Sequence, residues 1–181
     1  MKVISGFLKG RVIEGFDIDG TRPTMDRVKE SVFAMIQNYI SDSIVLDLFA
    51  GSGNLGIEAI SNGAKEVYFN DLNNIAIKTI KKNINNFDIH NAIVYDYNYE
   101  IALKKLKECT KFDIIFLDPP YKMDVVNKII KFIADNDLLN HKGIIVCEVS
   151  MDYQIDNYLF NTFKEKKYGD KKVIILKNDC Q

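Results

Sequence analysis

The most constraining feature of the sequence is a glycine-rich segment between an apolar run and a helical pattern. Residues 44–49 are apolar apart from Asp47, and GSGNLG follows at residues 51–56. A helix is predicted over residues 55–62, with Gly63 as its stop. Glycines let a chain turn tightly and approach a ligand beside the free N–H groups of a helix start. This unit favours an open α/β sheet that binds a nucleotide-like cofactor at its edge.

Strand and helix patterns alternate along the rest of the chain, as in a doubly wound sheet. Six further strands are predicted, at residues 67–70, 92–95, 112–117, 144–149, 163–168 and 172–176. Helices are predicted at residues 73–87, from the third strand to about residue 107, and at 125–136. The predicted fold class is therefore α/β, with a seven-stranded, mostly parallel sheet and helices on both faces.

The first 43 residues have a different pattern. Val3-Ile4 and Val12-Ile13 flank a glycine-bounded turn and predict a small hairpin. A helix follows, with Thr24 as candidate N-cap. Its predicted apolar face consists of Val28, Val32, Met35, Ile36 and Tyr39. We interpret residues 1–181 as a single domain, in which residues 1–43 are an appendage on a core formed by residues 44–181.

Composition narrows the class of protein. The 24 basic and 25 acidic residues leave a net charge of −1, so the protein carries no overall positive charge that would attract nucleic acid. All three arginines lie within the first 27 residues, and six lysines lie between residues 164 and 177. Either end could contact phosphate, and a solvated surface is at least as good an interpretation of the lysines. No signal peptide, membrane span, metal motif or cysteine pair is recognised, so we expect a soluble cytoplasmic protein.

Two carboxylates around the glycine segment indicate which cofactor is bound. Asp71 lies 20 residues beyond Gly51, at the predicted end of the second strand, where a carboxylate can accept both hydroxyls of a ribose. Asp47 precedes the glycines and would repel a pyrophosphate. Asp47 therefore favours S-adenosylmethionine, which has a cationic amino group and a sulfonium, over NAD. NAD remains the alternative cofactor.

A second chemical motif, Asp118-Pro119-Pro120-Tyr121, ends the predicted strand at residues 112–117. If this strand neighbours the first, Asp118 lies beside the glycine segment, because ligands bind where strand order reverses. Asp118 and the Pro119 carbonyl would then accept the N–H groups of an exocyclic amine, with Tyr121 stacking on its base. A simple proline turn with a surface aspartate is the competing interpretation.

Other candidates carry weaker signals. Cys147 lies in an apolar stretch and is interpreted as a core thiol. Glu148 follows it near the proposed site, where a supporting role and a plain surface acid are equally plausible. His90 and His141 have no acidic partners at metal-ligand spacing and are interpreted as loop residues.

With these motifs in place, the chain resembles the RsmD family, the 16S ribosomal RNA guanine-N2 methyltransferases of the class I, Rossmann-like, S-adenosylmethionine-dependent type. The resemblance covers nearly the whole length. It rests on the segments RPT at residues 22–24, DRVKE at 26–30, DLFAGSGNLG at 47–56, DPPY at 118–121 and YGDK at 168–171. The segment ahead of the glycines is the most specific, because DPPY alone occurs in many amino-methylating enzymes.

The resemblance implies direct methyl transfer to a guanine of 16S rRNA, within the small ribosomal subunit or an assembly intermediate, by a monomer. The residues it assigns to the cofactor are Asp47, Phe49, Ala50, Gly51, Ser52, Gly53, Asp71 and, for the adenine, Asp96 or Asn98. Those it assigns to RNA backbone are Lys9, Arg11, Arg22 and Arg27. A DNA adenine-N6 methyltransferase and a non-catalytic cofactor-binding module that recognises RNA remain the alternative functions.

Overall fold

The computed structural model describes residues 1–15, 23–120, 124–156 and 159–179, without the side chains of residues 23–25. Arg22, Tyr121 and Cys180 therefore lie outside the described residues. The helices are α1 (Pro23–Ile40), α2 (Asn54–Ser61), α3 (Asn74–Asn86), α4 (Tyr99–Leu106) and α5 (Val126–Asp135). The strands are β1 (Ile44–Asp47), β2 (Glu66–Asn70), β3 (Ala92–Tyr95), β4 (Phe112–Leu117), β5 (Leu139–Ser150), β6 (Asn161–Tyr168) and β7 (Lys171–Lys177).

The strands form one seven-stranded sheet in the order β3-β2-β1-β4-β5-β7-β6. Strands β1 to β5 are parallel, whereas β7 is antiparallel to both of its neighbours, β5 and β6. Strand order reverses between β1 and β4, which are paired in register with Asp47 opposite Phe116. The predicted neighbourhood of the first and fourth strands is therefore confirmed. We call the side where the parallel strands end the carboxyl edge.

Both faces of the sheet are covered, because side chains alternate along each strand. Val45 and Ile114 belong to the apolar cluster that also contains the buried residues of α1, α2 and α3. Leu46 and Ile115 belong to the opposite cluster, which contains the buried residues of α4 and α5. Buried strands of this kind appear as continuous apolar runs, which is why β4 has its predicted bounds.

Four element bounds differ from the prediction by two residues or more, one of them the start of β6 at Asn161 instead of residue 163. The first helix already begins at Pro23, so Thr24 lies inside α1 and is not its N-cap. Strand β1 ends at Asp47, two residues earlier than predicted. Strand β5 begins at Leu139 instead of residue 144, because a register shift against β4 accommodates the polar segment 140–143 within the strand. Lys142 has a φ of 64° there, a conformation typical of irregular positions.

The N-terminal segment forms the predicted hairpin as a minimal one, with a single antiparallel bridge between Lys2 and Val12. Its turn reaches the end of α2, where the backbone N–H of Phe7 donates to the carbonyl of Ser61 at 2.9 Å. A Cβ at Gly6 would lie 1.7 Å from that same carbonyl oxygen, so only glycine fits this approach. The hairpin is therefore fastened along α2.

The lysine-rich C-terminal segment forms β6 and β7, and β6 is the outermost strand of the sheet. Lysines on an exposed edge strand oppose pairing with another chain. Lys164 donates to the Met35 carbonyl at 3.1 Å and Lys166 donates to the Ser31 hydroxyl at 2.7 Å, so both lysines also contact α1. The lysines of β6 therefore favour the solvated-surface interpretation, whereas Lys172 of β7 is buried and does not.

Candidate active site

The glycine segment turns sharply between β1 and α2. Gly51 and Gly53 have φ angles of 55° and 82°, which side chains other than glycine adopt at a cost. The N–H of Gly53 donates to the Ala50 carbonyl at 2.7 Å and closes the turn. A Cβ at Gly51 would meet no atom within 4 Å, so the space above this backbone is open to a ligand. At Gly56 a Cβ would lie 2.2 Å from the Phe69 ring, so this glycine lets α2 pack on β2.

Asn83 of α3 supports this loop from behind. Its side chain is fully buried and donates to the carbonyls of Ser52 and Glu14, both at 3.0 Å. Its amide oxygen accepts the Glu14 N–H at 3.0 Å. Phe49 contacts the ring of Tyr99 on the other side of the loop, with 5.8 Å between ring centroids. The loop is thereby held between α3 and α4.

Asp47 ends β1 directly beneath the loop and is 2% exposed. Its Oδ2 accepts the N–H of Gly56 at 3.0 Å. The pKa of Asp47 is raised to about 7, chiefly by burial, with a smaller rise from the charge of Asp71 and a partly offsetting decrease from the Gly56 hydrogen bond. A cationic group bound beside Asp47 would stabilise its ionised form.

Asp71 follows the end of β2 and faces the same loop. Its carboxylate accepts the N–H of Gly51 at 2.8 Å and the N–H of Asn73 at 2.8 Å. Asp71, which lies 20 residues beyond Gly51 in the sequence, therefore contacts the glycine loop directly. Asn70, just before it, is buried and donates to the carbonyls of Leu48 and Tyr97, which joins the ends of β1, β2 and β3.

The residues after β3 have different roles. Asn98 is the N-cap of α4, and its side-chain oxygen accepts the Glu100 N–H at 2.9 Å. Asp96 is exposed and follows directly after the end of β3. Both lie at the carboxyl edge, on the same side of β1 as Asp71.

Asp118 follows the end of β4, on the other side of β1. Removal from bulk water raises the pKa of Asp118, the nearby charges of Glu148 and Asp47 raise it further, and Lys171 lowers it. Pro119 is buried and Pro120 is exposed. The structure thus brings the glycine loop and the Asp118-Pro119-Pro120 corner together at the carboxyl edge, as the sequence predicts.

Glu148 is part of the same corner. It is the next residue after Cys147, which pairs with Leu117 in the β4–β5 register, so Glu148 lies opposite Asp118. Lys171 donates to Glu148 Oε1 at 2.6 Å. A cavity of about 380 Å³ opens beside them. It is lined by Pro119, by residues 148–150 at the end of β5, by residues 152–154 and by the start of α5. Glu148 is therefore a half-buried member of the site and not a plain surface acid.

The predicted RNA-contacting residues are not all close together. Arg27 is exposed in the first turns of α1, which start at the carboxyl edge because α1 leads into the beginning of β1. Lys9 is exposed in the hairpin turn, which lies at the end of α2. Arg11 covers the Phe87 ring at 4.7 Å and donates to the Asn86 carbonyl at 2.7 Å, at the end of α3. Lys9 and Arg11 therefore lie away from Asp118, towards the opposite edge of the sheet.

A buried ion pair near the loop was not identified from the sequence. Lys29 of α1 is 2.8 Å from Glu58 of α2, and both side chains are almost completely buried. Lys29 also donates to the Lys2 carbonyl at 2.7 Å and to Asn54 Oδ1 at 2.8 Å, while Glu58 accepts the N–H of Ser5 at 2.8 Å. The only available signal was that Lys29 lies in the DRVKE segment and that Glu58 lies two residues after the glycine segment.

The remaining candidate residues from the sequence lie in the core or on the surface. Cys147 is fully buried in β5, and burial raises the pKa of its thiol, as expected for a core residue. His90 is exposed beside Asp88. Among the residues that the structure describes, no group of histidine, cysteine and acidic side chains is arranged to hold a metal ion. None of the described helices is long and apolar enough to cross a membrane.

Comparison with known proteins shows to which family this chain belongs. A family model described as Conserved hypothetical protein 95 matches residues 1–177. The ribosomal RNA small subunit methyltransferase D of Haemophilus influenzae is 35% identical, over 84% of this chain and 80% of its own length. The chain belongs to the RsmD family. The Bacillus subtilis protein YlbH is 40% identical, over 98% of both chains.

Solved structures agree with this assignment. The Escherichia coli protein yhhF superposes with a TM-score of 0.88 at 28% identity, covering 100% of this chain and 99% of its own. The sheet order, with helices on both faces, is that of the class I methyltransferases. Both the predicted fold class and the resemblance to the RsmD family are therefore confirmed.

Proposed function

We propose that this chain transfers a methyl group from S-adenosylmethionine to the exocyclic N2 of a guanine in 16S rRNA. One observation carries the proposal: a buried carboxylate under an open glycine loop lies on the strand next to Asp118-Pro119. A cofactor site and an amine-accepting corner therefore adjoin each other. The name of the Haemophilus influenzae relative, a small-subunit rRNA methyltransferase, supports the substrate class.

The residues of the loop fit S-adenosylmethionine. Asp47 is buried, and the elevated pKa of its carboxyl means that its charge lacks compensation, which the amino group of a methionine moiety would supply. The open space above Gly51 admits the cofactor close to the backbone. Asp71 accepts the ribose hydroxyls while retaining its bond to the Gly51 N–H. A pyrophosphate at this position would be repelled by Asp47, which disfavours NAD.

The adenine is assigned to Asp96. Asn98 uses its side-chain oxygen to cap α4, so that oxygen is already engaged. Asp96 is exposed at the end of β3 and is able to accept the amino N–H groups of a purine. Asn98 would then shape the loop and would not read the base.

The corner at β4 orients the target amine. When bound, the cofactor supplies an electrophilic methyl group on a sulfonium. Asp118 and the Pro119 carbonyl accept the two N–H groups of N2, which directs the nitrogen lone pair towards the loop at β1. The new C–N bond forms as the C–S bond breaks, and the extra proton on N2 leaves to Asp118 or to water. Tyr121, outside the described residues, is proposed to stack on a base splayed out of its helix.

The RNA surface is proposed to surround this corner. Arg27 is exposed on the first turns of α1, on the same edge as Asp118. Arg22 is proposed to join it, from the undescribed segment. Lys9 and Arg11 would reach phosphates only of a large substrate that extends around the hairpin. That requirement, with the net charge of −1, favours the small ribosomal subunit or an assembly intermediate, bound by one copy of the chain.

The test is methylation of small ribosomal subunits that lack this modification. Incubation with labelled S-adenosylmethionine, followed by digestion of the rRNA, should yield N2-methylguanosine. Replacing Asp118→Ala should lower kcat by roughly 100-fold or more, because it removes a group that acts on the transition state. Cofactor binding, measured by calorimetry, should remain within a few-fold of the unmodified protein.

The control variant is Asp135→Asn, an exposed residue of α5 that pairs with Lys131 on the same helix. It should methylate at the unmodified rate. Full activity of Asp118→Ala would refute the assigned corner. Label on DNA adenine alone would instead establish the DNA methyltransferase, and cofactor binding without any transfer would establish the non-catalytic module.

A further inference from the structure

Three carboxylates follow one another along the carboxyl edge. Asp47 lies at the end of β1, Asp118 just after β4, and Glu148 near the end of β5. Neighbouring strands lie roughly 4.8 Å apart, and Glu148 is directly opposite Asp118 in the register. Alternation places all three side chains on the face that contains Val45, Ile114 and Val146.

The order of these three carboxylates along the edge indicates how the target base is oriented in the site. If the proposed function holds, the cofactor lies over β1 and the reacting amine over β4. The rest of the base must then extend away from the cofactor, over β5. The cavity of about 380 Å³ opens there at the carboxyl edge, with Pro119, Glu148 and Ser150 on one wall and the start of α5 and residues 152–154 on the other.

Glu148 can therefore meet the ring atoms next to the amine. In guanine those atoms are N1, which carries a hydrogen, and N3, which carries a lone pair. A carboxylate attracts the N1–H and repels N3. In adenine and in cytosine the ring nitrogen next to the aminated carbon carries a lone pair and no hydrogen, so neither base offers an N–H donor at this position.

We propose that Glu148 accepts the N1–H of the target guanine and thereby selects guanine over adenine and cytosine. The proposal rests on the methyltransferase function above and adds a specificity-determining residue to it. Lys171 orients the carboxylate through the 2.6 Å contact to Oε1 and supplies a counter-charge close to Asp118. Its side chain lies on the same face, because Lys171 continues the alternation of Val173 and Ile175 on β7.

The decisive variant is Glu148→Gln, which keeps the shape of the side chain and exchanges a carboxylate oxygen for an amide N–H donor. On unmodified small subunits, kcat/KM should fall roughly 10- to 100-fold, the range for losing a hydrogen bond to a charged group. The matched control is Glu165→Gln, which removes the other glutamate paired with a lysine of β7. It should leave kcat/KM unchanged.

Free nucleosides separate base recognition from folding and from catalysis. Guanosine and 2-aminopurine riboside both carry the N2 amine, but N1 of 2-aminopurine is an acceptor. As competitors of subunit methylation at saturating cofactor, guanosine should inhibit the unmodified enzyme at least 10-fold better than 2-aminopurine riboside. In Glu148→Gln the ratio should approach one or reverse, because the amide can donate to N1.

The outcomes distinguish this inference from the proposed function. Absence of N2-methylguanosine with the unmodified enzyme overturns the function itself. Normal guanine methylation together with an unchanged inhibitor ratio in Glu148→Gln overturns only the role of Glu148. Equal losses for both nucleosides in Glu148→Gln would also overturn it, because a structural defect is blind to the N1 hydrogen.

Discussion

Replacing Asp47→Asn should stabilise the cofactor-free protein while abolishing its cofactor binding. Asp47 is 2% exposed, and burial raises the pKa of its carboxyl from 3.8 to about 7. Asparagine has the same shape and can still accept the Gly56 N–H through its oxygen. The substitution therefore removes a buried charge without removing the hydrogen bond that the charge makes.

The sign and size of the stability change follow from the pKa values of Asp47 in the unfolded and in the folded chain. The unfolded chain loses the Asp47 proton near pH 4, whereas the folded chain holds it until about pH 7. The contribution of this residue to stability is therefore fully present below pH 4 and is lost as the pH rises to 7. The difference corresponds to about 4 kcal/mol of unfolding free energy. In a chain of 181 residues this is roughly 8–16 °C in Tm.

The assay is thermal or urea unfolding at pH 4 and at pH 8, without cofactor. Asp47→Asn should exceed the unmodified protein in stability at pH 8 and match it at pH 4. The exposed variant Asp135→Asn is the control. Its free energy of unfolding should lie within a few tenths of a kcal/mol of that of the unmodified protein at both pH values. Saturating S-adenosylmethionine should raise the Tm of the unmodified protein and leave that of Asp47→Asn unchanged. A variant less stable than the unmodified protein at pH 8 would refute the reasoning.

Two further substitutions test the packing around the loop. Lys29→Met should lower the free energy of unfolding by about 3–5 kcal/mol, because Glu58 is left buried without its partner. Urea titration should show the double variant Lys29→Met/Glu58→Gln recovering much of that loss, because the amide oxygen still accepts the Ser5 N–H and no buried charge remains. No recovery would contradict the ion-pair argument. Gly56→Ala should cost about 1–3 kcal/mol, because the new Cβ meets the Phe69 ring at 2.2 Å. Adding Phe69→Leu should restore part of the Tm, and an unchanged Tm in Gly56→Ala alone would show that α2 does not need the glycine.

The order of strands and helices could be predicted because buried parallel strands form short apolar runs. Strand β4 has its predicted bounds for that reason. The start of β5 could not be predicted in this way. Asn140 to Gly143 appear as a polar turn, yet the strand continues through them, because Asn140 donates to Asp113 and Lys142 donates its N–H to the Asn178 carbonyl. Such partners are distant in sequence and leave no local pattern.

The candidate site likewise contains residues that could be predicted from the sequence and residues that could not. The glycine loop, Asp71 and Asp118 were predictable, because each follows a recognisable strand and the carboxyl ends of parallel strands share one edge. Glu148 was ambiguous in the sequence, since only the register with β4 and the contact with Lys171 give it a position. Arg11 was predicted to contact RNA, and its contacts with Phe87 and Asn86 give it a place in the packing of the hairpin.

The segment most specific to the resemblance acquires a physical role through Lys29. The DRVKE segment includes Arg27, exposed on the side of α1 available to RNA, and Lys29, buried two residues later. Lys29 donates to Asn54, the first residue of α2 directly after the glycine loop, and pairs with Glu58 one turn further on. A displacement of α1 by a bound RNA would therefore have to break buried polar contacts or carry the start of α2 with it. The surface proposed to receive the substrate and the loop proposed to hold the cofactor are thus mechanically joined.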